Sequence, residues 1–224
     1  MSRRNSVSRI PNIGQRKNIF LLVDGECEYD YLKAFKRHEK YIQTLRNIDI
    51  EPDLPKFKSL EDQYDKLKES LKHYDKVIWV VDYDVITKES REQQKGKETS
   101  EQKFKRYSAE LEKIAKVYKH TEIHILINNP SIEYWYLLHY EATSRYYRKS
   151  SEAERELKKH LKSYTKLDAK YRKQIFNTLY PNLGNAIDYA KRINIDTDEI
   201  LARADLYKIF ENDCKLLTGS KTKK

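Results

Sequence analysis

Val77-Ile78-Trp79-Val80-Val81-Asp82-Tyr83-Asp84 is the stretch on which the fold turns. An unbroken apolar five suits a strand covered on both faces, as in a parallel sheet. Upstream, Leu60, Tyr64, Leu67, Leu71 and Tyr74 recur at helical spacing, with Ser59 as an N-cap. Before them stands another apolar five, Ile19-Phe20-Leu21-Leu22-Val23, ending at Asp24-Gly25-Glu26. Between Glu28 and His38, Tyr31, Leu32 and Phe35 then take helical spacing. The segment Ile48 to Phe57 can hold a short strand, which Pro52 and Pro55 confine to an edge or irregular role. Downstream, the highly charged Lys88 to Lys103 reads as an exposed loop or solvated helix start. Phe104, Tyr107, Leu111, Ile114 and Tyr118 define the next helix. A third five, Ile123-His124-Ile125-Leu126-Ile127, stops at Asn128-Asn129-Pro130.

Apolar fives alternating with amphipathic helices predict an α/β fold, a mainly parallel sheet flanked by helices. Beyond Ser131 no strand is evident. Ala153-Leu157-Leu161-Tyr164, Leu167-Tyr171-Ile175-Leu179, Leu183-Ile187-Ala190 and Ile200-Ala204-Tyr207 predict an all-helical C-terminal part. The expected division is a flexible basic arm at 1–17, an α/β domain at 18–141 and a helical extension packed on it at 142–224. In the arm, Arg3, Arg4, Arg9, Arg16 and Lys17 either meet phosphate or form a solvated tail. The lysine-rich tail from Lys215 is expected to fray.

Composition narrows the class. The 224 residues carry 45 Lys and Arg against 35 Asp and Glu, a formal charge of +10. Such a field favours polyanions, nucleic acid first. Eighteen Tyr, 6 Phe and 2 Trp supply enough large side chains for a core, which excludes a disordered chain. No apolar run approaches a membrane span, and no secretory signal opens the chain. Two cysteines, Cys27 and Cys214, give neither a disulfide framework nor zinc spacing. A soluble cytoplasmic protein is the expectation.

In open parallel sheets, sites form at the carboxyl ends of strands. Here these ends carry Asp24 and Glu26, then Asp82 and Asp84, and then Glu133 a helical turn beyond the third. Carboxylates gathered in a basic protein call for a positive charge between them, commonly Mg2+ (or Mn2+) bound with phosphate oxygens and water. Each acid also has a plainer reading as a helix cap or a partner of a helix dipole. Their conjunction favours a shared site.

The same residues carry a resemblance. Leu22-Val23-Asp24-Gly25-Glu26-Cys27-Glu28-Tyr29-Asp30-Tyr31-Leu32, Trp79-Val80-Val81-Asp82-Tyr83-Asp84 and Asn128-Asn129-Pro130-Ser131-Ile132-Glu133-Tyr134-Trp135-Tyr136-Leu137-Leu138-His139-Tyr140 follow one another as in RloB-like proteins. The chain resembles that family over about residues 18 to 141. The resemblance implies a TOPRIM-like (Rossmann-like) domain and a metal-dependent endonuclease, with RNA or tRNA favoured over DNA. It further implies a toxic effector of anti-phage defence (abortive infection), held inactive by an ABC-type ATPase partner. On this likeness Glu26 is catalytic as general acid/base and sits beside the metal, Asp82 and Asp84 hold it, and Glu133 supports the site from beside the metal. One departure concerns the family's G-E-x-T-E segment, which usually carries a Thr or Ser: here it reads Gly25-Glu26-Cys27-Glu28, with Cys27 and without that hydroxyl.

Other residues carry two readings each. Arg145, Tyr146, Tyr147, Arg148 and Lys149 form a basic-aromatic cluster suited to nucleic-acid binding, or else a solvated chain end with packed tyrosines. Lys158, Lys159, Lys162 and Lys166 add charge nearby. Trp135, Tyr136 and Leu138 read as core, His139 as structural or as a support for a site group, and Asn128 and Asn129 as helix caps or phosphate contacts. A monomer and a homodimer both stand. The alternative to an enzyme is a silent module that binds nucleic acid or the ATPase. A haloacid-dehalogenase-like phosphatase is disfavoured, because Ile86 stands four residues after Asp82.

Overall fold

The computed structural model describes residues 17–45, 48–53, 59–92, 97–118, 121–193 and 202–218. Of the basic arm at 1–17, only Lys17 falls among them. Four parallel strands build the sheet: β1 (Lys17–Leu22), β2 (Ile48–Asp53), β3 (Lys76–Asp82) and β4 (Glu122–Asn129). A two-residue β5 (Arg203–Ala204) pairs antiparallel with the end of β4, giving the order β2-β1-β3-β4-β5. β2 takes the edge, as its proline requires, with Pro52 opposite Leu21.

The first two apolar fives have both faces buried, and the third is buried only from Leu126 onward. Ile19, Leu21, Val23, Ile78, Val80 and Leu126 enter one core, while Phe20, Leu22, Val77, Trp79, Val81 and Ile127 enter the other. The second core is closed by α3 (Leu60–Ser70), α4 (Tyr83–Glu92) and α5 (Ser100–Val117). Ser59 caps α3 by accepting the Asp62 N–H, and Thr99 with Gln102 forms a capping box on α5. The first core is closed by α1 (Glu26–Arg37), α2 (Glu39–Ile42), α6 (Ile132–Leu137), α7 (Ser150–His160), α8 (Ala169–Leu179), α9 (Leu183–Ile193) and α10 (Tyr207–Thr218). The C-terminal helices therefore share a core with α1. Phe176 and Phe210 pack on Tyr31 and Phe35, and Trp135 stacks on Phe210 with ring planes 4° apart.

Several expectations need correction. Residues 88–92 belong to α4, which starts directly off β3 and buries little beyond Tyr83 and Ile86. That is too few apolar residues to show a period. The C-terminal part is not purely helical, because Ala204 lies in β5, and Ile200 falls outside the described residues. Leu167 precedes α8 and is 94% exposed, so it is no core residue. Lys215 lies within α10 rather than in a tail. Asn128 and Asn129 end β4, and Ser131 takes the N-cap position of α6.

Candidate active site

Strand order reverses direction between β1 and β3, the switch point where open α/β sheets bind ligands. Both strands run out at this edge into acids. Asp82 closes β3 on the face of Ile78 and Val80, and its neighbour across the ladder is Asn128 of β4. Asp82 Oδ1 is closed off from solvent and has no hydrogen-bond partner among the described residues. Neither side-chain polar atom of the fully buried Asn128 has one there either. Buried polar atoms left unpaired are rare and point to an ion, water or ligand. Burial pushes the Asp82 carboxyl well above its ordinary range, and the charges of Glu28, Asp24, Glu133 and Asp84 push it further.

Glu28 is the second pillar. It sits at the third position of α1 and is only 2% exposed. Burial raises its carboxyl to about 7. A hydrogen bond from its own backbone N–H opposes that rise, the charges of Glu133 and Asp24 reinforce it, and a hydrogen bond with Asp82 opposes it again. Gly25 makes this placement possible. A Cβ there would lie 2.9 Å from Glu28 Oε2, so the carboxylate packs over bare backbone at the head of the helix.

Asp24 and Asp84 flank the pair from opposite sides. Gln63 of α3 donates to Asp24 Oδ1 at 3.3 Å and accepts from Trp79 Nε1 at 2.8 Å, tying Asp24 to β3. Asp84 lies in the first turn of α4, where its N–H donates to the Pro130 carbonyl at 3.1 Å. Its Oδ2 accepts the Ser150 N–H at 3.0 Å, at the start of α7.

Glu133 is buried and fully engaged. Its Oε2 accepts from Ser131 Oγ at 2.6 Å; its Oε1 accepts from Tyr164 OH at 2.7 Å and pairs with Lys166 Nζ at 3.0 Å. Burial alone would lower the Lys166 ammonium, but the Glu133 charge and hydrogen bond, with Glu154 behind them, raise it above its ordinary value. Glu133 thus serves Lys166 and Tyr164, and its contacts are those of a supporting carboxylate.

Glu26 is not in this cluster. Its side chain is 68% exposed and pairs with Arg172 of α8 at 2.6 Å. It lines a separate cavity of about 940 Å3 between α1 and α8, with Lys33, Arg37 and Lys173. The sequence reading set Asp24 among the strand-end acids without a role of its own, and it missed Glu28 as a site residue. The signal for Glu28 was present: it lies three, four and seven residues before Tyr31, Leu32 and Phe35, on the buried face of α1.

Asp82 and Asp84 open into a cavity of about 790 Å3, whose wall includes Arg148, Lys149, Lys166 and Lys88. An acidic floor therefore meets a cationic rim. Of the predicted nucleic-acid cluster, Arg148 and Lys149 reach this cavity, and Tyr146 is 43% exposed. Tyr147 is buried against Tyr134, with the Arg145 guanidinium 5.3 Å from its ring centre, so it cannot stack a base. Trp135, Tyr136 and Leu138 are core, and Trp135 Nε1 donates to Tyr31 OH at 2.9 Å. His139 is buried beside Trp135. Its Nδ1 lies 3.0 Å from the Trp135 carbonyl, and burial lowers the ring to about 4, so it is neutral at physiological pH. Its place is structural.

The donor chemistry suits a hard divalent cation. Carboxylate oxygens predominate, and one is orphaned. Among the described residues no three His, Cys, Asp or Glu side chains form a finished metal-binding group. That accords with Mg2+, which takes one or two carboxylates and completes its shell with water and phosphate. No helix among the described residues is long and apolar enough to cross a membrane.

No curated protein and no solved structure matches the chain. The family described as RloB-like protein matches residues 19–212, reaching well past the motifs into the C-terminal helices. The chain belongs to the RloB-like family.

Proposed function

We propose that this RloB-like chain is a Mg2+- or Mn2+-dependent nuclease that hydrolyses phosphodiester bonds. The observation that carries the reading is the carboxylate cluster with the orphaned Asp82 Oδ1, set at the sheet's switch point beneath a lysine- and arginine-bearing rim. Asp82 and Asp84 would hold the cation. When bound, it would polarise a phosphoryl oxygen and lower the pKa of water. Glu28, with a carboxyl near 7, can hold or release a proton at neutral pH, as a general acid/base must. This gives Glu28 the part that resemblance alone gave Glu26. Arg148 and Lys149 would draw the substrate backbone to the cavity.

Family likeness supports the wider role: a toxic effector in anti-phage defence, with RNA or tRNA favoured over DNA and an ABC-type ATPase as its restraint. A second reading, a silent binding module, draws on the absence of a finished metal-ligand trio among the described residues. Incubating the purified chain and Asp82→Asn with total RNA and plasmid DNA, with Mg2+ or Mn2+ and with chelator, separates the two. The expected result is cation-dependent cleavage that Asp82→Asn reduces at least about 100-fold. Cleavage that survives both chelator and Asp82→Asn would refute the proposed chemistry.

A further inference from the structure

The segment between α7 and α8 lies outside the α/β elements, yet it delivers two side chains to the acidic edge. Tyr164 and Lys166 both reach Glu133, at 2.7 and 3.0 Å. Lys166 also stands 3.5 Å from Glu154 and lines the cavity with Asp82 and Asp84. An ammonium has three N–H donors. Glu133 and Glu154 occupy two, which leaves one for the cavity.

The segment is fastened from the far side. Arg172 donates to the Lys166 carbonyl at 2.6 Å, to Asp30 at 3.0 Å and to Glu26 at 2.6 Å. Lys166 is therefore held at its side chain by a buried carboxylate and at its backbone by a guanidinium anchored on α1. Arg148 and Lys149 reach the same cavity from the opening of α7 and have no comparable anchor among the described residues. A long cation fixed this firmly beside a carboxylate cluster is placed to contact an oxygen of the polyanion bound there.

We infer that Lys166 is the phosphate-contacting residue of the nuclease site, with Glu133 and the Glu26–Asp30–Arg172 clamp as its positioning residues. The inference rests on the nuclease reading and adds to it a substrate contact from the helical part of the chain. Its rival is simpler: Lys166 only neutralises the buried Glu133. The double variant Glu133→Gln/Lys166→Met separates these, because it removes both members of the pair and leaves no buried charge uncompensated.

The test measures binding of a fluorescent 20-nucleotide single-stranded RNA, with Ca2+ replacing Mg2+, over a salt series. Melting temperature and Mg2+-dependent cleavage are followed in parallel. Lys166→Met is expected to weaken binding about 10- to 100-fold and to reduce the salt slope by about one. Lys166→Arg should recover part of the affinity. The double variant should regain melting temperature while binding stays weak. Recovery of full affinity in the double variant, or an unchanged salt slope in Lys166→Met, would overturn the inference while leaving the nuclease reading standing. A wild-type chain that neither binds nor cleaves would overturn both.

Discussion

Glu28 shows how one residue can carry both a strain on the fold and a capacity for chemistry. Its carboxyl lies near 7 in the folded chain against an ordinary value of 4.5. Between those values the folded state binds more protons than the unfolded one, so raising the pH through this window removes stability. Glu28→Gln abolishes that loss. In chelator at pH 8 the variant should be more stable than wild type by up to roughly 3 kcal/mol, or about 5 to 10 °C in Tm. The difference should vanish by about pH 4, which thermal melts across pH would establish. A wild type as stable as the variant at pH 8 would mean that burial and the acidic neighbours do not raise Glu28. The buried His139 works in the opposite sense, losing stability as pH falls below about 6.5, but it is common to both proteins and cancels. Choosing between Glu26 and Glu28 required asking which face of α1 each occupies. Tyr31, Leu32 and Phe35 mark the buried face, and Glu28 shares it. The motif by itself points to Glu26, whose side chain is exposed.

At the scale of elements, the contact between α1 and α8 decides how the C-terminal part bears on the site. Arg172 is 11% exposed and bridges Asp30, Glu26 and the Lys166 carbonyl. Its loss strands a nearly buried Asp30, so Arg172→Met should destabilise the chain by about 2 to 4 kcal/mol, measured by denaturant unfolding. Glu26→Gln removes only the exposed arm of the clamp and should change stability by less than about 1 kcal/mol. Equal losses in the two variants would contradict this division of the clamp. The strands were legible because burial on both faces leaves unbroken apolar runs at 19–23 and 77–81, and a nearly apolar one, broken by His124, at 123–127. Helix α4 was not, since its buried residues are few and its N-terminus grows straight out of Asp82. β5 was not, because two residues hold no period and its pairing is made with a strand about 75 positions earlier. The Glu133–Lys166 contact lies equally beyond reach, since only the packing of α7 on α6 and of α8 on α1 brings those positions together.

For the whole molecule, the described residues set opposite charges against one another at one edge of the sheet. Carboxylates gather where β1 and β3 end, and cations from α4, α7 and the segment before α8 surround the opening. A polyanion would be drawn to the rim, and an ion at the floor would offset the burial and the charge crowding that raise Asp82 and Glu28. That relief needs neither substrate nor partner to be observed. Mn2+ binding at pH 7.5, followed by electron paramagnetic resonance of the free ion, measures it directly. The wild-type chain should take up one Mn2+, Asp82→Asn should bind at least about tenfold more weakly, and Glu26→Gln should bind like wild type. No uptake by the wild-type chain, or uptake lost in Glu26→Gln and kept in Asp82→Asn, would contradict the account.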